Sequence, residues 1–225
     1  MIRTILFDLD GTLVDSYLPI TESLNEVRSA FGLPSKSEAE VRREVGRGLE
    51  ALIGDNVGAD RVEEGVRIFR DCYRRIFREG TRLLPGVAST IETLAGRGYA
   101  MGVTSNKPAY FTREILIALG LASTFGAIYG PEMVTHPKPH PEMIHGALAE
   151  LRSHPDESAY VGDMLIDVET ARRAGLPVYV IASGGQSREE LEKARPDLLL
   201  SRFEELLEVF PALDPAQRSS SPGSS

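Results

Sequence analysis

The chain has 225 residues, 42% of them apolar and 26% charged, with a single cysteine, and its charge sum is −8. That length suits one domain, or one domain with an inserted module, and a core that needs no disulfide or metal staple. The acidic balance excludes a general binder of nucleic-acid polymers or anionic membranes, and one cysteine excludes a disulfide framework or cysteine-based zinc cluster.

Short apolar runs alternate with helical patterns, which predicts an α/β fold around a doubly wound, mostly parallel sheet. The opening Thr4-Ile5-Leu6-Phe7 reads as a strand buried on both faces and ending at Asp8-Leu9-Asp10-Gly11. With one charge and a very short apolar run before Asp8, the N-terminus lacks a signal peptide, and no stretch approaches a membrane span, so a cytoplasmic protein is expected. From Ser16 to Arg82 no good strand occurs. Ile20, Leu24, Val27 and Phe31 form one helical stripe, and Val62, Val66, Phe69, Tyr73 and Ile76 another. The simplest arrangement is a helical bundle inserted at the carboxyl end of the first strand, with two chain crossings near Leu13–Leu18 and Glu79–Pro85 acting as a hinge. Later strands are expected at Ala100–Thr104, Ala127–Tyr129, Ala159–Val161, Val178–Ile181 and Leu198–Leu200. Helices between them stop at Gly96 and Gly98, at Gly120, and at Gly175 with Pro177 beyond. The expected division is a core of residues 1–15 and 83–211, a helical insert of 16–82, and a flexible Ser- and Pro-rich tail of 212–225.

Four clusters carry potential chemistry. Asp8 and Asp10 leave one face of the first strand's end and repel each other, which calls for a cation or a shared proton; turn-forming aspartates beside a glycine are the equal alternative. A second strand ends at Gly162-Asp163, four residues before Asp167, which is expected to cap a helix over 168–174. If the two strands are neighbours, Asp8, Asp10 and Asp163 gather hard oxygen ligands that suit Mg²⁺ better than zinc. Ser105-Asn106 follows the Ala100–Thr104 strand and offers donors for a phosphate oxygen, or an everyday helix cap. Lys138 stands among Pro137, Pro139 and Pro141, which restrict where it points, although most lysines are solvated surface charge. His136 and His140 have a spacing seen in zinc sites, with no cysteine or acidic cluster nearby to complete one, so they read as loop histidines. Cys72 reads as a packing residue, and Gly184-Gly185-Gln186-Ser187 as a loop whose Ser187 caps a helix.

In this order and position the four clusters resemble the haloacid dehalogenase superfamily of phosphohydrolases, over roughly Ile2 to Phe210. The most specific part is Asp8-x-Asp10-Gly11-Thr12-Leu13-Val14-Asp15-Ser16, supported by Gly162-Asp163-x-x-x-Asp167, Lys138, Ser105-Asn106 (or Thr104, if shifted by one) and the helical insert, which is similar to the family's cap. The resemblance implies that Asp8 attacks phosphorus and becomes an aspartyl phosphate, while Asp10 serves as general acid and base. It implies Mg²⁺ held by Asp8, Asp163 and the backbone carbonyl of Asp10, with Asp167 orienting the metal's water shell or Lys138. Gly11, Thr12, Ser105 and Asn106 would then hold the phosphoryl group beside Lys138. The second aspartate, Asp10, argues against a dehalogenase, and the Gly-Thr-Leu-Val-Asp-Ser run departs from the pattern usual in β-phosphoglucomutases. Within the superfamily the chain is most similar to the phosphoglycolate phosphatase group, through Asp15-Ser16, Ala30–Pro34 and the Val45–Leu52 stretch. There Arg47 would pair with a substrate carboxylate, unless it is simply a surface arginine. The expected partner is a small phosphorylated metabolite, with pyrophosphate, sugar phosphates and nucleotides as alternatives. A phosphomutase and a non-catalytic phospholigand-binding module are the competing functions. No heptad run is long enough to settle whether the chain is a monomer or a homodimer.

Overall fold

The computed structural model describes residues 1–214. The chain runs β1 (Thr4–Phe7), β2 (Val14–Asp15), α1 (Tyr17–Ala30), α2 (Glu38–Glu44), α3 (Leu49–Val57), α4 (Val62–Gly80) and β3 (Arg82–Leu83). It continues through α5 (Val87–Gly96), β4 (Ala100–Thr104), α6 (Ala109–Ala118), β5 (Ala127–Tyr129), α7 (Glu142–Glu150) and β6 (Ser158–Gly162). The last elements are α8 (Leu165–Arg173), β7 (Val178–Ile181), α9 (Arg188–Lys193), β8 (Leu198–Leu200) and α10 (Leu206–Val209).

Six strands form one sheet in the order β5-β4-β1-β6-β7-β8, every pair parallel. The side-chain period of two assigns alternate residues of β1 to opposite layers. Ile5 and Phe7 join the apolar cluster on one face, and Leu6 joins Tyr160, Ile144 and Val180 on the other. Because both faces are covered, every residue of β1 is buried, which is why its sequence after Thr4 is a continuous apolar run. The chain moves outward from β1 to β4 and β5, then returns past β1 to β6, so the strand order reverses beside β1. A parallel sheet opens a crevice at the carboxyl ends of its strands at that point.

The helices α1 to α4 lie between β2 and β3. Those two short strands pair antiparallel, Val14 with Leu83 and Asp15 with Arg82, so the two crossings run side by side. In α4 the buried stripe is Val66, Phe69, Tyr73 and Phe77; Ile76, expected on it, is only partly buried. The helix's final turn rotates Phe77 inward, where it stacks on Tyr73 and meets Phe111 edge-on. Gly65 lets α4 approach closely, since a Cβ there would lie 2.5 Å from Ile53.

Two expectations change here. The helix after β6 starts at Leu165, two residues before Asp167. Packing also continues to Leu213, whose N–H donates to the Arg97 carbonyl and whose side chain is buried. The rest of the expected tail, 215–225, lies outside the described residues. Among the described residues, no helix is long and apolar enough to cross a membrane.

Candidate active site

Three adjacent strands of the sheet end at the same edge. Asp8 follows β1, Ser105 follows β4 and Asp163 follows β6. The Asp8 N–H donates to the Val161 carbonyl, extending the β1–β6 ladder by one residue and fixing Asp8 beside Asp163. The chain then folds back through a tight turn in which the N–H groups of Leu13 and Val14 both donate to the Leu9 carbonyl. This turn presents Asp10 to the same crevice.

Asp8, Asp10, Asp163 and Asp167 are all buried, and so are Lys107 and Lys138. Lys138 Nζ lies 2.8 Å from Asp8 Oδ1 and 3.0 Å from Asp167 Oδ1, above the Tyr160 ring. Its backbone is clamped by Asn106, whose Oδ1 accepts the Lys138 N–H and whose Nδ2 donates to the Lys138 carbonyl. Both Nδ2 protons of Asn106 are used, the second on the Gly46 carbonyl of the helical insert. Asn106 therefore positions Lys138 and ties the insert to the core, and its side-chain amide has no proton left for a phosphoryl oxygen.

Ser105 lines the cavity, and among the described residues nothing accepts its hydroxyl proton; its Oγ only accepts the Lys107 N–H. Thr104 points the other way, its hydroxyl 3.1 Å from that of Tyr160 in the core. Strand alternation thus separates the two hydroxyls that sequence alone leaves interchangeable.

Thr12 does not line the cavity. Its hydroxyl donates to Asp163 Oδ1 at 2.7 Å, so it orients a carboxylate rather than a substrate. Gly11 has φ +87°, a conformation open to glycine, and a Cβ there would lie 2.3 Å from Asp163 Oδ2 and 2.6 Å from the Tyr17 hydroxyl. Gly11 is likewise a spacer, with no contact to the cavity. On the opposite side, a Cβ at Gly184 would lie 1.7 Å from the same oxygen. The loop carrying Gly184 thus closes on Asp163, and Gln186 accepts the Leu165 N–H, while Ser187 caps α9.

Asp167 is not the helix cap. At the third position of α8, its Oδ2 accepts the N–H groups of Asp163 and Met164, satisfying donors at the helix start from inside. Its Oδ1 holds Lys138, so both oxygens are committed.

A divalent cation fits this arrangement on three counts. Four buried carboxylates face two buried lysines, leaving 2 − 4 = −2 in formal charge. Among the described residues Asp163 Oδ2 is buried without a hydrogen-bond partner, an expensive condition unless an ion takes it. One carboxylate oxygen each from Asp8, Asp163 and Asp167 lies within 4.8 Å of the others. Burial, followed by the charges of Asp167 and Asp8, pushes the Asp163 carboxyl well up. Burial likewise raises Asp8 to about 6, against the opposing pull of Lys138. The Asp10 carboxylate stands outside this trio, held by Ser16 on Oδ1 and by Lys107 on Oδ2 at 2.9 Å.

Sequence reasoning missed Lys107 and Ser16. Lys107 Nζ also donates to the Tyr73 hydroxyl at 2.8 Å, linking Asp10 to the α4 aromatic stack. Its signal was its place directly after the apolar strand end and Ser105-Asn106, ahead of Pro108. Arg47, by contrast, is turned away. Its guanidinium is largely exposed and pairs with Asp55, while the backbone of Gly46 and Gly48 lines the cavity. His136 and His140 do have an acidic neighbour, Glu142. That carboxylate is occupied by the N–H groups of Thr135 and His136, closing the loop that carries Lys138. Cys72 is buried, as a packing residue would be.

The family described as haloacid dehalogenase-like hydrolase matches residues 5–181. The chain is 33% identical to a phosphoglycolate phosphatase of Yersinia pseudotuberculosis, with 92% of both chains covered. It is 31% identical to a phosphoglycolate phosphatase of Vibrio parahaemolyticus, over 92% of this chain and 96% of that one. Among solved structures, a predicted phosphoglycolate phosphatase of Haemophilus somnus 129pt superimposes with a TM-score of 0.87 at 28% identity, covering 93% of this chain and 98% of that one. The edge of buried aspartates and lysines belongs to a sheet of that family's shape. The chain belongs to the haloacid dehalogenase-like hydrolase family and is a phosphatase of it.

Proposed function

We propose that the protein hydrolyses small phosphomonoesters with Mg²⁺ as cofactor, through a phosphoryl group carried on Asp8. The observation that carries this reading is the pairing of Asp8 and Asp10 in one buried cluster, each held by a different lysine. Lys138 fixes one oxygen of Asp8 and leaves the other to attack phosphorus, forming an O–P bond as the ester oxygen departs. Ser16 and Lys107 fix the Asp10 carboxyl, which gives a proton to the departing alkoxide and takes one from the incoming water. That water displaces the Asp8 carboxylate and releases phosphate. Lys138 and the Ser105 hydroxyl stabilise the charge on the remaining phosphoryl oxygens. Asp8, Asp163 and the backbone carbonyl of Asp10 would hold the Mg²⁺, which when bound neutralises phosphoryl charge. The domain reading follows: residues 1–15 and 83–213 carry the chemistry, and 16–82 cover it.

Phosphate release tests the reading, with wild type beside Asp8→Asn on 2-phosphoglycolate, sugar phosphates, nucleoside monophosphates and pyrophosphate. Turnover that needs Mg²⁺ and disappears in the variant is expected. Turnover surviving in Asp8→Asn, or undiminished in a chelator, overturns it.

A further inference from the structure

The cavity above the phosphoryl-binding cluster is apolar. Asp8, Asp10, Ser105 and Lys138 line it, and its apolar lining includes Ile20, Val45, Leu49, Leu52, Phe69 and Met164. This inner cavity measures about 80 Å³ and shares Leu49, Asn106, Pro108 and Phe111 with an outer cleft of about 470 Å³. The ester's alcohol must occupy this passage, because the phosphoryl group is anchored beside Asp8.

A carboxylate-bearing alcohol finds no lining cation there that lacks a carboxylate partner of its own. The lining cations are Lys107 and Lys138, and each already faces aspartate: Asp10 for Lys107, Asp8 and Asp167 for Lys138. The cluster is neutral only after a divalent cation joins it, and the phosphoryl group brings further negative charge. Arg47 is paired with Asp55 outside the cavity. In the outer cleft Arg70 pairs with Glu50 and Arg74 with Asp71, and Glu132 shares the wall. An alkyl or aromatic alcohol, in contrast, meets aliphatic and aromatic walls that gain from covering it.

We propose that the preferred substrates are phosphomonoesters of apolar alcohols, and that 2-phosphoglycolate is a poor one. This rests on the phosphatase reading and names the substrate class of the same site. Burying one methylene at about 0.8 kcal/mol corresponds to roughly fourfold in kcat/KM, so butyl phosphate, with two more methylenes, should exceed ethyl phosphate by about fifteenfold.

The test compares kcat/KM for ethyl, butyl, hexyl and benzyl phosphates and 2-phosphoglycolate with Mg²⁺. The alkyl esters have leaving groups of similar basicity, and glycolate leaves more easily than they do, so intrinsic reactivity works against the expected order. The benzyl ester separates an aromatic preference from an aliphatic one. Butyl or benzyl phosphate at about tenfold or more above 2-phosphoglycolate is expected. Leu49→Arg, which places a cation on the passage wall, should narrow or reverse that ratio by about tenfold. Binding of hexyl phosphate and 2-phosphoglycolate to Asp8→Asn, measured by calorimetry with Mg²⁺, reads the preference without turnover. Tighter hexyl phosphate binding with no wild-type turnover of any ester would keep the pocket assignment and overturn the phosphatase reading. A preference for 2-phosphoglycolate in both rate and binding would overturn the pocket assignment while leaving the phosphatase reading intact.

Discussion

Replacing Lys107 by methionine removes the one side chain that joins Asp10 to the α4 aromatic stack. In the wild type, Nζ sits 2.9 Å from Asp10 Oδ2, with 7% and 11% of the two side chains exposed. It also sits 2.8 Å from the Tyr73 hydroxyl and above the Tyr73 ring. At that separation the direct attraction is about 6 kcal/mol with an effective dielectric near 20. Desolvation offsets part of it, and breaking such a buried pair costs about 3–5 kcal/mol, because the remaining charge stays buried. Methionine keeps the stem's volume, so the loss is electrostatic rather than a cavity. We expect the melting temperature to fall by about 10 °C for a chain of this size. The rate should fall further than stability explains: below the melting transition kcat drops about 10²-fold, because Asp10 keeps only the Ser16 contact to set its orientation. The assay is thermal unfolding and steady-state kinetics on Lys107→Met, Asp10→Asn and the double variant. In the Asp10→Asn background the lysine change should cost about 2 kcal/mol less in stability, since the partner charge is gone. Equal stability losses in both backgrounds, or a single variant with unchanged kcat, would refute this account of Lys107.

Arg47→Ala should leave kcat/KM within about twofold and stability within about 0.5 kcal/mol, since its pair with Asp55 is exposed; kinetics and melting check it, and a large loss of activity would return Arg47 to the substrate. Without metal, stability should depend on pH through Asp8. Its folded carboxyl lies at about 6 against 3.8, so its contribution is fully present below about pH 4 and is lost as pH rises through about 6. From about pH 5 to pH 7.5 the chelated protein should lose roughly 1–2 kcal/mol, with Asp163 acting in the same direction. Mg²⁺ should flatten that slope, and melting curves with and without chelator read it directly.

The sheet was legible because its strands are short, mostly apolar runs set between helical patterns. The run 100–104 coincides with β4, and the run 178–181 with β7. Parallel strands buried on both faces leave that signature wherever they occur. Asp8, Asp163 and Lys138 were legible through motif and position, and folding brings all three into one cluster. Polar side-chain partners were less legible. Thr12 and Asn106 bond within the protein, and Asp167 holds Lys138 as the sequence suggests but does not cap its helix, because such side chains can donate or accept in many settings. The partners of Asn106 and Thr12 lie 32 and 151 residues away in sequence. Lys107 and Arg47 show the same limit for charge: composition does not distinguish a lysine sealed against Asp10 from an arginine held in solvent by Asp55.

The central claim is that Asp8 carries the phosphoryl group. Rapid acid quench of wild type during turnover of a good phosphomonoester, followed by mass spectrometry of the peptide containing Asp8, tests it most directly. The account predicts one added phosphoryl group on Asp8, present with Mg²⁺ and absent from Asp8→Asn. Sustained turnover with an unmodified Asp8 peptide at every quench time, and phosphate released by Asp8→Asn at the wild-type rate, would contradict it.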